Sequence, residues 1–201
     1  RDAYPAEHPY SDLSVPGSDS GPAVPWVLGS SPSSGEIAGE LGLRYCFAGF
    51  IRPGFAERAF AAYREAFDPE GGLGELDEPR GMVAVNAVAA ETDEAAARRR
   101  APAEATFRRM QRGELGDETP TVEEAVDELG GAPEPTPATL DDDEWPRAIS
   151  GSPETISGLL EQLADRVGVD EVMIQHTVPD HDDALESHAL LAEATDLDAR
   201  E

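Results

Sequence analysis

The sequence contains no lysine and only one cysteine, and it has no long apolar run. The single Cys46 excludes an internal disulfide, and no CxxC motif or Cys/His cluster is present that would hold zinc. A membrane-spanning helix needs about 18 consecutive apolar residues, and no such stretch occurs. We therefore expect a protein of the reducing cytoplasm with neither a signal peptide nor a membrane segment.

Acidic residues dominate the charged surface. The chain carries 42 Asp and Glu against 15 basic residues, all of them Arg, for a net charge of -27. This charge repels nucleic acid and anionic membranes, so neither is expected as a partner. The composition resembles that of extreme halophiles, whose salt shortens the Debye length to about 3 Å at 1 M. We expect the melting temperature to rise between dilute buffer and molar KCl.

Hydrophobic periodicity predicts strands that alternate with helices. With 201 residues, of which 39% are hydrophobic, the chain is long enough to bury a core despite its charge. The alternation predicts a parallel α/β fold. Four strands in this length correspond to the second half of a (β/α)8 barrel, and a short doubly wound sheet is the alternative. The predicted strands, in their expected order in the sheet, are Val24–Leu28, Tyr45–Phe50, Met82–Val88 and Glu171–His176.

Capping signals and apolar spacing predict the helices between these strands. Ser33 is expected to cap the first helix, with Glu36 completing a capping box and Gly42 following its end. A second helix is predicted to start near Ala56, and a third runs from Thr92 to Met110 with an interruption at Pro102. A fourth starts at Ser152-Pro153-Glu154. A fifth runs from Asp182 to Ala194, and its predicted buried residues are Leu185, His188, Ala189 and Ala192.

Two segments have a composition unlike the rest. Residues 1–23 mix proline, glycine, serine and aspartate, which predicts an extended arm. Residues 24–201 form the predicted half-barrel, with an acidic, proline-rich insertion at 113–143 that contains one helical piece, Val122–Leu129. Because the first residue is not Met and no organised element precedes residue 24, we expect the chain to begin partway through a longer gene product.

The segment VLGSSPSSGEIAGELGL at Val27–Leu43 resembles the luciferase-like family of flavin-dependent monooxygenases. Four later segments resemble that family in the same order: YCFAGF with FAAYREAF, GMVAVNAVAAETDEAAARR, ISGSPETISGLLEQL and VDEVMIQHTVPDHDDALESHALLAEA. The resemblance implies the carboxyl half of a (β/α)8 barrel. It also implies an enzyme that oxidises a small organic substrate with reduced flavin and oxygen. The family's catalytic residues lie upstream of the matching region, so no catalytic residue is assigned here.

The turn from Gly29 to Ser34 is the candidate cofactor site. Backbone N–H groups at a helix start, together with serine hydroxyls, form an anion site, and FMN presents a phosphate. The resemblance implies that Ser31 and Ser34 supply the hydroxyl contacts while Gly29 and Ser30 shape the turn. An ordinary serine-rich helix cap is the alternative. A deazaflavin coenzyme is the alternative to FMN.

Other site chemistries are disfavoured. A serine hydrolase would need the amide after its nucleophile, and Pro32 follows Ser31. His176 and the Asp180–Asp183 segment lack a metal-binding spacing, so we expect no metal. The six arginines between Arg98 and Arg112 are expected to pair with the surplus carboxylates.

Two further interpretations concern the enzyme's partners. The resemblance leaves a non-catalytic flavin-binding or subunit-partner protein, and a deazaflavin-dependent oxidoreductase, as rivals to the monooxygenase. A half-barrel exposes a sheet edge and an uncovered apolar face, so we expect a dimer or a missing amino-terminal half to cover them.

Overall fold

The structure is a computed structural model that describes residues 7–9, 24–71, 76–114, 116, 118–141 and 144–195. The predicted arm at residues 1–23 therefore lies outside the described residues except for 7–9. The strands are β1 (Trp26–Gly29), β2 (Arg44–Ala48), β3 (Gly81–Ala89), β4 (Ala148–Gly151) and β5 (Glu171–Gln175). The helices are α1 (Pro32–Glu40), α2 (Ala56–Ala66), α3 (Asp93–Arg112), α4 (Val122–Leu129), α5 (Pro153–Val167) and α6 (His181–Ala194).

All strand pairs of the sheet are parallel. β1 pairs with β2, β2 pairs with the first half of β3, and β5 pairs with β3 from Met82 to Asn86. The last four residues of β3 pair with β4. Asn86 is paired with both Ala148 and Gln175, so β4 and β5 lie on opposite sides of β3. The short β4 thus extends the sheet beyond the end of β2.

The predicted parallel α/β class is confirmed, with the four predicted strands in the predicted order. The strand β4 was not expected, because four residues before a helix start carry too little periodicity to indicate a strand. The helix predicted at Val122–Leu129 is present as α4, between the capping Thr121 and Gly130.

Helices cover one face of the sheet with two clusters of buried side chains. Tyr45, Phe47 and Val83 pack with Phe60 and Tyr63 of α2. Further along the sheet, Val85, Ala87 and Ala89 of β3 pack with Ile156, Leu159 and Leu163 of α5 and Leu191 of α6. Because successive side chains of a strand point to opposite faces, residues such as Cys46 and Asn86 point away from these helices.

The first two helices cross at very short distance. A Cβ added to Gly35 would lie 2.3 Å from the carbonyl oxygen of Ala59, and one added to Gly39 would lie 2.6 Å from that of Tyr63. Glycine at both positions therefore lets the backbones of α1 and α2 meet.

Three details of the helices differ from the predictions. The first helix is capped by Ser31 and not by Ser33, and Ser34 rather than Glu36 closes the capping box. The box forms two residues earlier because Pro32 takes the first helical position, where its missing N–H costs nothing. At the other end the expectation holds, since Gly42 has a φ of 63° just after the helix.

The predicted interruption at Pro102 is also wrong, because α3 continues through it. Pro102 is buried in the packing of α3, so its ring contributes apolar contact that offsets one missing helical hydrogen bond. In α6 the buried face was wrongly placed. Leu185, His188 and Ala189 are exposed, whereas Ser187 and Leu191 are buried. The hydroxyl of Ser187 accepts a hydrogen bond from the amide of Ala89, which fixes the rotation of α6 against the sheet.

The prediction that the arginines of α3 pair with carboxylates is confirmed. All six of these arginines, which are Arg98, Arg99, Arg100, Arg108, Arg109 and Arg112, form ion pairs. Arg99 connects three elements, since it donates to the carbonyl oxygen of Ala89 and pairs with Asp183 and Glu186 of α6. The helix α3 is thereby held against the carboxyl end of β3.

Candidate functional site

The turn that follows β1 is a closed hydrogen-bonded cap. The amide of Ser34 donates to the hydroxyl of Ser31 at 3.3 Å, and the amide of Ser31 donates to the hydroxyl of Ser34 at 3.2 Å. The Ser34 hydroxyl in turn donates to the carbonyl oxygen of Ser31 at 2.7 Å. The phenol of Tyr45, whose pKa is raised mainly by burial, lies 3.0 Å from the Ser34 hydroxyl. Ser34 is therefore committed to the cap.

Other groups of the same turn remain available to a ligand. As a donor, the Ser31 hydroxyl reaches only the Ser34 hydroxyl oxygen among the described residues, at 3.5 Å, which is long for a hydrogen bond between hydroxyls. The Ser30 hydroxyl and the Ser33 amide make no hydrogen bond to any other described residue. Since β1 ends at Gly29, these donors lie at the carboxyl end of a parallel strand, where barrel enzymes bind ligands. An anion there would also meet the positive end of α1.

Gly29 is required by the close approach of the cap. A Cβ at this position would lie 2.1 Å from the hydroxyl oxygen of Ser34 and 2.2 Å from its Cβ. Any larger residue would displace Ser34 and open the turn. The structure thus gives each of the four predicted residues a place in one turn, and whether they contact a phosphate stays a prediction.

The helix α5 shows what an occupied helix start looks like in this protein. Ser152 stands at its N-cap position, as predicted, but its side chain does not cap the helix. Instead the carboxylate of Asp93 accepts from the Ser152 amide at 2.7 Å and from the Thr155 hydroxyl at 3.2 Å. These hydrogen bonds, of which that from the Ser152 amide is the strongest, lower the pKa of Asp93. A protein carboxylate already fills the anion position at α5, whereas no described carboxylate does so at α1.

A cavity of about 850 Å³ lies beside the carboxyl end of β2, against α3. Its size is within the range of small-molecule sites. Its apolar wall includes Phe50, Ile51, Ala103, Phe107, Met110, Pro146 and Ala148, and its polar wall includes Asn86, Arg100, Glu104, Arg108, Gln111, Glu144 and Arg147. This mixture of aromatic and convergent polar groups is typical of a binding site for an organic molecule.

Two polar residues of the cavity wall were missed by the sequence analysis. Asn86 interrupts the apolar run of β3, and Arg147 follows an acidic segment. A polar residue inside an otherwise buried strand was the available signal for Asn86. No local signal marks Arg147, because the sequence does not show that the loop before β4 returns to the sheet.

The remaining candidate groups are engaged in packing. Burial raises the pKa of Cys46 to about 11, so its thiol stays protonated and unreactive at neutral pH. His176 shares a hydrogen bond of 2.9 Å with the buried Ser187 hydroxyl, and its ring centre lies 4.2 Å from that of His188. Burial, and then the neighbouring His188 and Arg99, lower the pKa of His176 to about 4. Within the described residues, no group of three or more metal-ligating side chains comes together.

No helix in the described part of the chain combines the length and the apolar character that a membrane span requires.

Comparison with known proteins places the chain in a family. A family model described as luciferase-like monooxygenase matches residues 4–171. The Bacillus subtilis protein YvbT is 32% identical over 168 residues, which are 84% of this chain and 48% of that protein. The chain spans about half the length of the curated relatives it matches.

Solved structures agree with this family. The crystal structure of apo-MsnO8 has 37% sequence identity and a TM-score of 0.77, over 94% of this chain and 55% of that one. The FMN complex of the oxygenating constituent of 3,6-diketocamphane monooxygenase, from Pseudomonas putida, has 19% identity and a TM-score of 0.51, over 84% of this chain and 47% of that one. The second likeness concerns the fold alone. From its sequence and its parallel α/β architecture together, the chain belongs to the luciferase-like monooxygenase family.

Proposed function

We propose that this chain forms the flavin-binding half of a luciferase-like monooxygenase that oxidises a small organic substrate with reduced flavin and oxygen. The observation that carries this proposal is the family match, which extends over residues 4–171. The position of the serine turn at the carboxyl end of β1 supports it, because barrel enzymes build their sites at that end of the strands.

The proposed cofactor is FMN, with its phosphate at the turn Gly29–Ser34. The hydroxyls of Ser30 and Ser31 and the amide of Ser33 are the donors that the geometry leaves free, and the α1 dipole favours the phosphate charge. Ser34 supports the site by holding the turn closed. Glu36 is exposed one turn further along α1, where its carboxylate opposes an anion at long range.

The flavin supplies the redox chemistry when it is bound, and the protein supplies binding, orientation and exclusion of water. In this chain those tasks fall to the turn and to the cavity wall. Gly29 lets the turn close, and Phe50, Phe107 and Met110 provide apolar surface that keeps water from a ligand in the cavity.

The half-barrel requires a complement. Alternation places Leu28 of β1 and Met173 of β5 on the sheet face that the helix clusters leave open, and these side chains are 59% and 47% exposed. Exposed apolar residues on two edge strands favour further strands, from the same polypeptide or a second copy, as their cover. Light scattering in molar KCl tests whether a second copy is the cover. A dimer would have twice the chain's mass of 21.4 kDa.

The cofactor proposal is tested by titrating FMN and riboflavin into the protein in molar KCl and following flavin fluorescence. Removing one hydroxyl donor to a phosphate costs about 1.5 to 3 kcal/mol, so Ser31→Ala should weaken FMN about 10- to 150-fold. Riboflavin lacks the phosphate and should bind this variant as it binds the wild type. Ser152→Ala, at the start of α5, is the matched control and should change neither affinity.

Equal losses of FMN and riboflavin in Ser31→Ala would show that the turn is only a structural cap. The same titration with a deazaflavin coenzyme addresses the main rival, since a deazaflavin-dependent oxidoreductase should prefer that coenzyme to FMN. A protein that binds FMN but, with reduced flavin, oxygen and candidate substrates, forms no oxidised product would be a non-catalytic member of the family.

A further inference from the structure

The cavity wall contains a buried acceptor that no described residue satisfies. The side-chain oxygen of Asn86 is shielded from solvent and accepts no hydrogen bond from the described residues. Most buried polar atoms in folded proteins have a partner, because an unsatisfied one costs about 1 to 3 kcal/mol. Thr106 has a second such oxygen, but that residue does not line the cavity. A ligand with an O–H or N–H donor would satisfy the Asn86 oxygen.

Arg147 is held in the same wall without an ion pair to any described carboxylate. Its guanidinium carbon lies 3.9 Å from the centre of the Phe107 ring, and it donates a hydrogen bond to the carbonyl oxygen of Phe50. Within the described residues it forms no ion pair, although the chain carries 42 acidic residues. Its remaining N–H groups have no described acceptor.

The other charged groups of the wall do not neutralise Arg147. Arg100 and Arg108 both pair with Glu104, at 3.7 and 2.6 Å, so this trio retains one positive charge. Glu144 also lines the cavity, but its side chain is exposed and makes no described ion pair. Three arginines therefore face two glutamates in a protein whose net charge is -27. The described residues of the cavity wall therefore carry a net positive charge, whereas the whole chain carries a net negative one.

We propose that this cavity binds the organic substrate, and that the substrate is an aromatic anion that also carries an O–H or N–H donor. Arg147 contacts the anionic oxygen, Asn86 accepts from the donor, and Phe107 and Phe50 pack against the ring. The proposal deepens the proposed function, because it names the substrate class and two specificity-determining residues of that same protein. The substrate proposal rests on the cavity and the cofactor proposal rests on the serine turn, so each can be refuted without the other.

The probe for the anionic contact is 8-anilinonaphthalene-1-sulfonate, which combines aromatic rings, a sulfonate and an N–H group. Its neutral counterpart N-phenyl-1-naphthylamine lacks only the sulfonate. Both are titrated by fluorescence into the flavin-free protein at one fixed KCl concentration. The wild type should bind the sulfonate at least 10-fold more tightly than the neutral probe, since a charge-assisted hydrogen bond gives about this factor.

Arg147→Gln should remove this preference and leave the neutral probe unaffected. Arg80→Gln is the matched control, because it removes the same charge from an exposed site just before β3, at the amino end of the sheet. Its preference should equal that of the wild type. Equal loss in both variants, or no loss in Arg147→Gln, would overturn the anionic contact. If Arg147→Gln does not fold, Arg147→Lys keeps the charge without the planar fork and should retain only part of the preference.

Asn86→Leu tests the hydrogen bond from the ligand donor to the Asn86 oxygen, because leucine is close to asparagine in shape but has no acceptor. It should weaken anilinonaphthalene sulfonate about 5- to 10-fold and leave 1-naphthalenesulfonate, which has no N–H donor, unchanged. Equal effects on the two probes would overturn the role of Asn86 as an acceptor for the ligand. Failure of FMN to respond to Ser31→Ala would refute the cofactor site without changing any of these probe results.

Discussion

The turn after β1 and the cavity beside α3 differ in whether their polar groups have partners among the described residues. In the turn, Ser31 and Ser34 satisfy one another's amides, and Tyr45 adds a further hydrogen bond. In the cavity, the buried oxygen of Asn86 has no described hydrogen-bond donor, and Arg147 has no described carboxylate partner. The first arrangement stabilises the fold by itself, whereas in our proposal a bound ligand supplies the partners of the second. The contrast predicts substitutions with opposite signs.

The largest effect is expected for Gly29→Ala, which should lower the free energy of unfolding by about 3 kcal/mol. The new Cβ would overlap Ser34, so the variant suffers overpacking and loses the cap. Urea unfolding in molar KCl measures the difference. Gly54→Ala is the control, because a Cβ there would have no neighbour within 4 Å. Similar stability of the two variants would show that the cap is not tightly closed.

A smaller loss, of about 1 to 2 kcal/mol, is expected for Ser34→Ala. This change removes the oxygen that accepts from the Ser31 amide and lies near the Tyr45 phenol, and loss of a helix cap has this size. Ser33→Ala is the matched control in the same turn, since the exposed Ser33 side chain takes no part in the capping box. Thermal unfolding should separate the two variants. If both lose the same amount, the box does not stabilise α1.

A pH dependence is expected at His176, a half-buried side chain that, like the serines of the turn, has a hydrogen-bond partner within the protein. Its pKa is lowered to about 4 in the folded protein, against about 6.5 in an unfolded chain. Between these values the unfolded chain binds more protons, so stability from His176 is present above pH 6.5 and is lost as the pH falls toward 4. Urea midpoints at pH 7 and pH 5 should therefore differ less in His176→Gln than in the wild type. The exposed His181→Gln should retain the wild-type difference.

Much of the fold was predictable because the strands carry their own signals. The apolar runs of β2 and β3 are nearly continuous, and the glycines after α1 and α5 mark helix ends by their positive φ. The face of α6 was not predictable, since a buried serine decides it and two apolar residues, Leu185 and Ala189, remain outside. Hydrophobic spacing cannot show which polar group finds a partner on another element.

The candidate site divides in the same way. The serine turn is one contiguous segment, so the sequence places its residues together without knowledge of the fold. The cavity joins Phe50, Asn86, Phe107 and Arg147 from four separate segments, which meet only because β4 returns beside β3. The sequence selected Ser31 and Ser34 as site residues but wrongly assigned the helix cap to Ser33. It contained no signal that Arg147 would line the same cavity as Asn86.

The free energy of unfolding of Asn86→Leu, measured without ligand in molar KCl, tests most directly whether the cavity reserves its polar groups for a ligand. Leucine removes a buried oxygen that has no described partner, and it adds apolar contact of similar volume. We predict that this variant is more stable than the wild type by about 1 kcal/mol. A loss of stability would show that the Asn86 oxygen already has a partner in the ligand-free protein, and it would contradict the account.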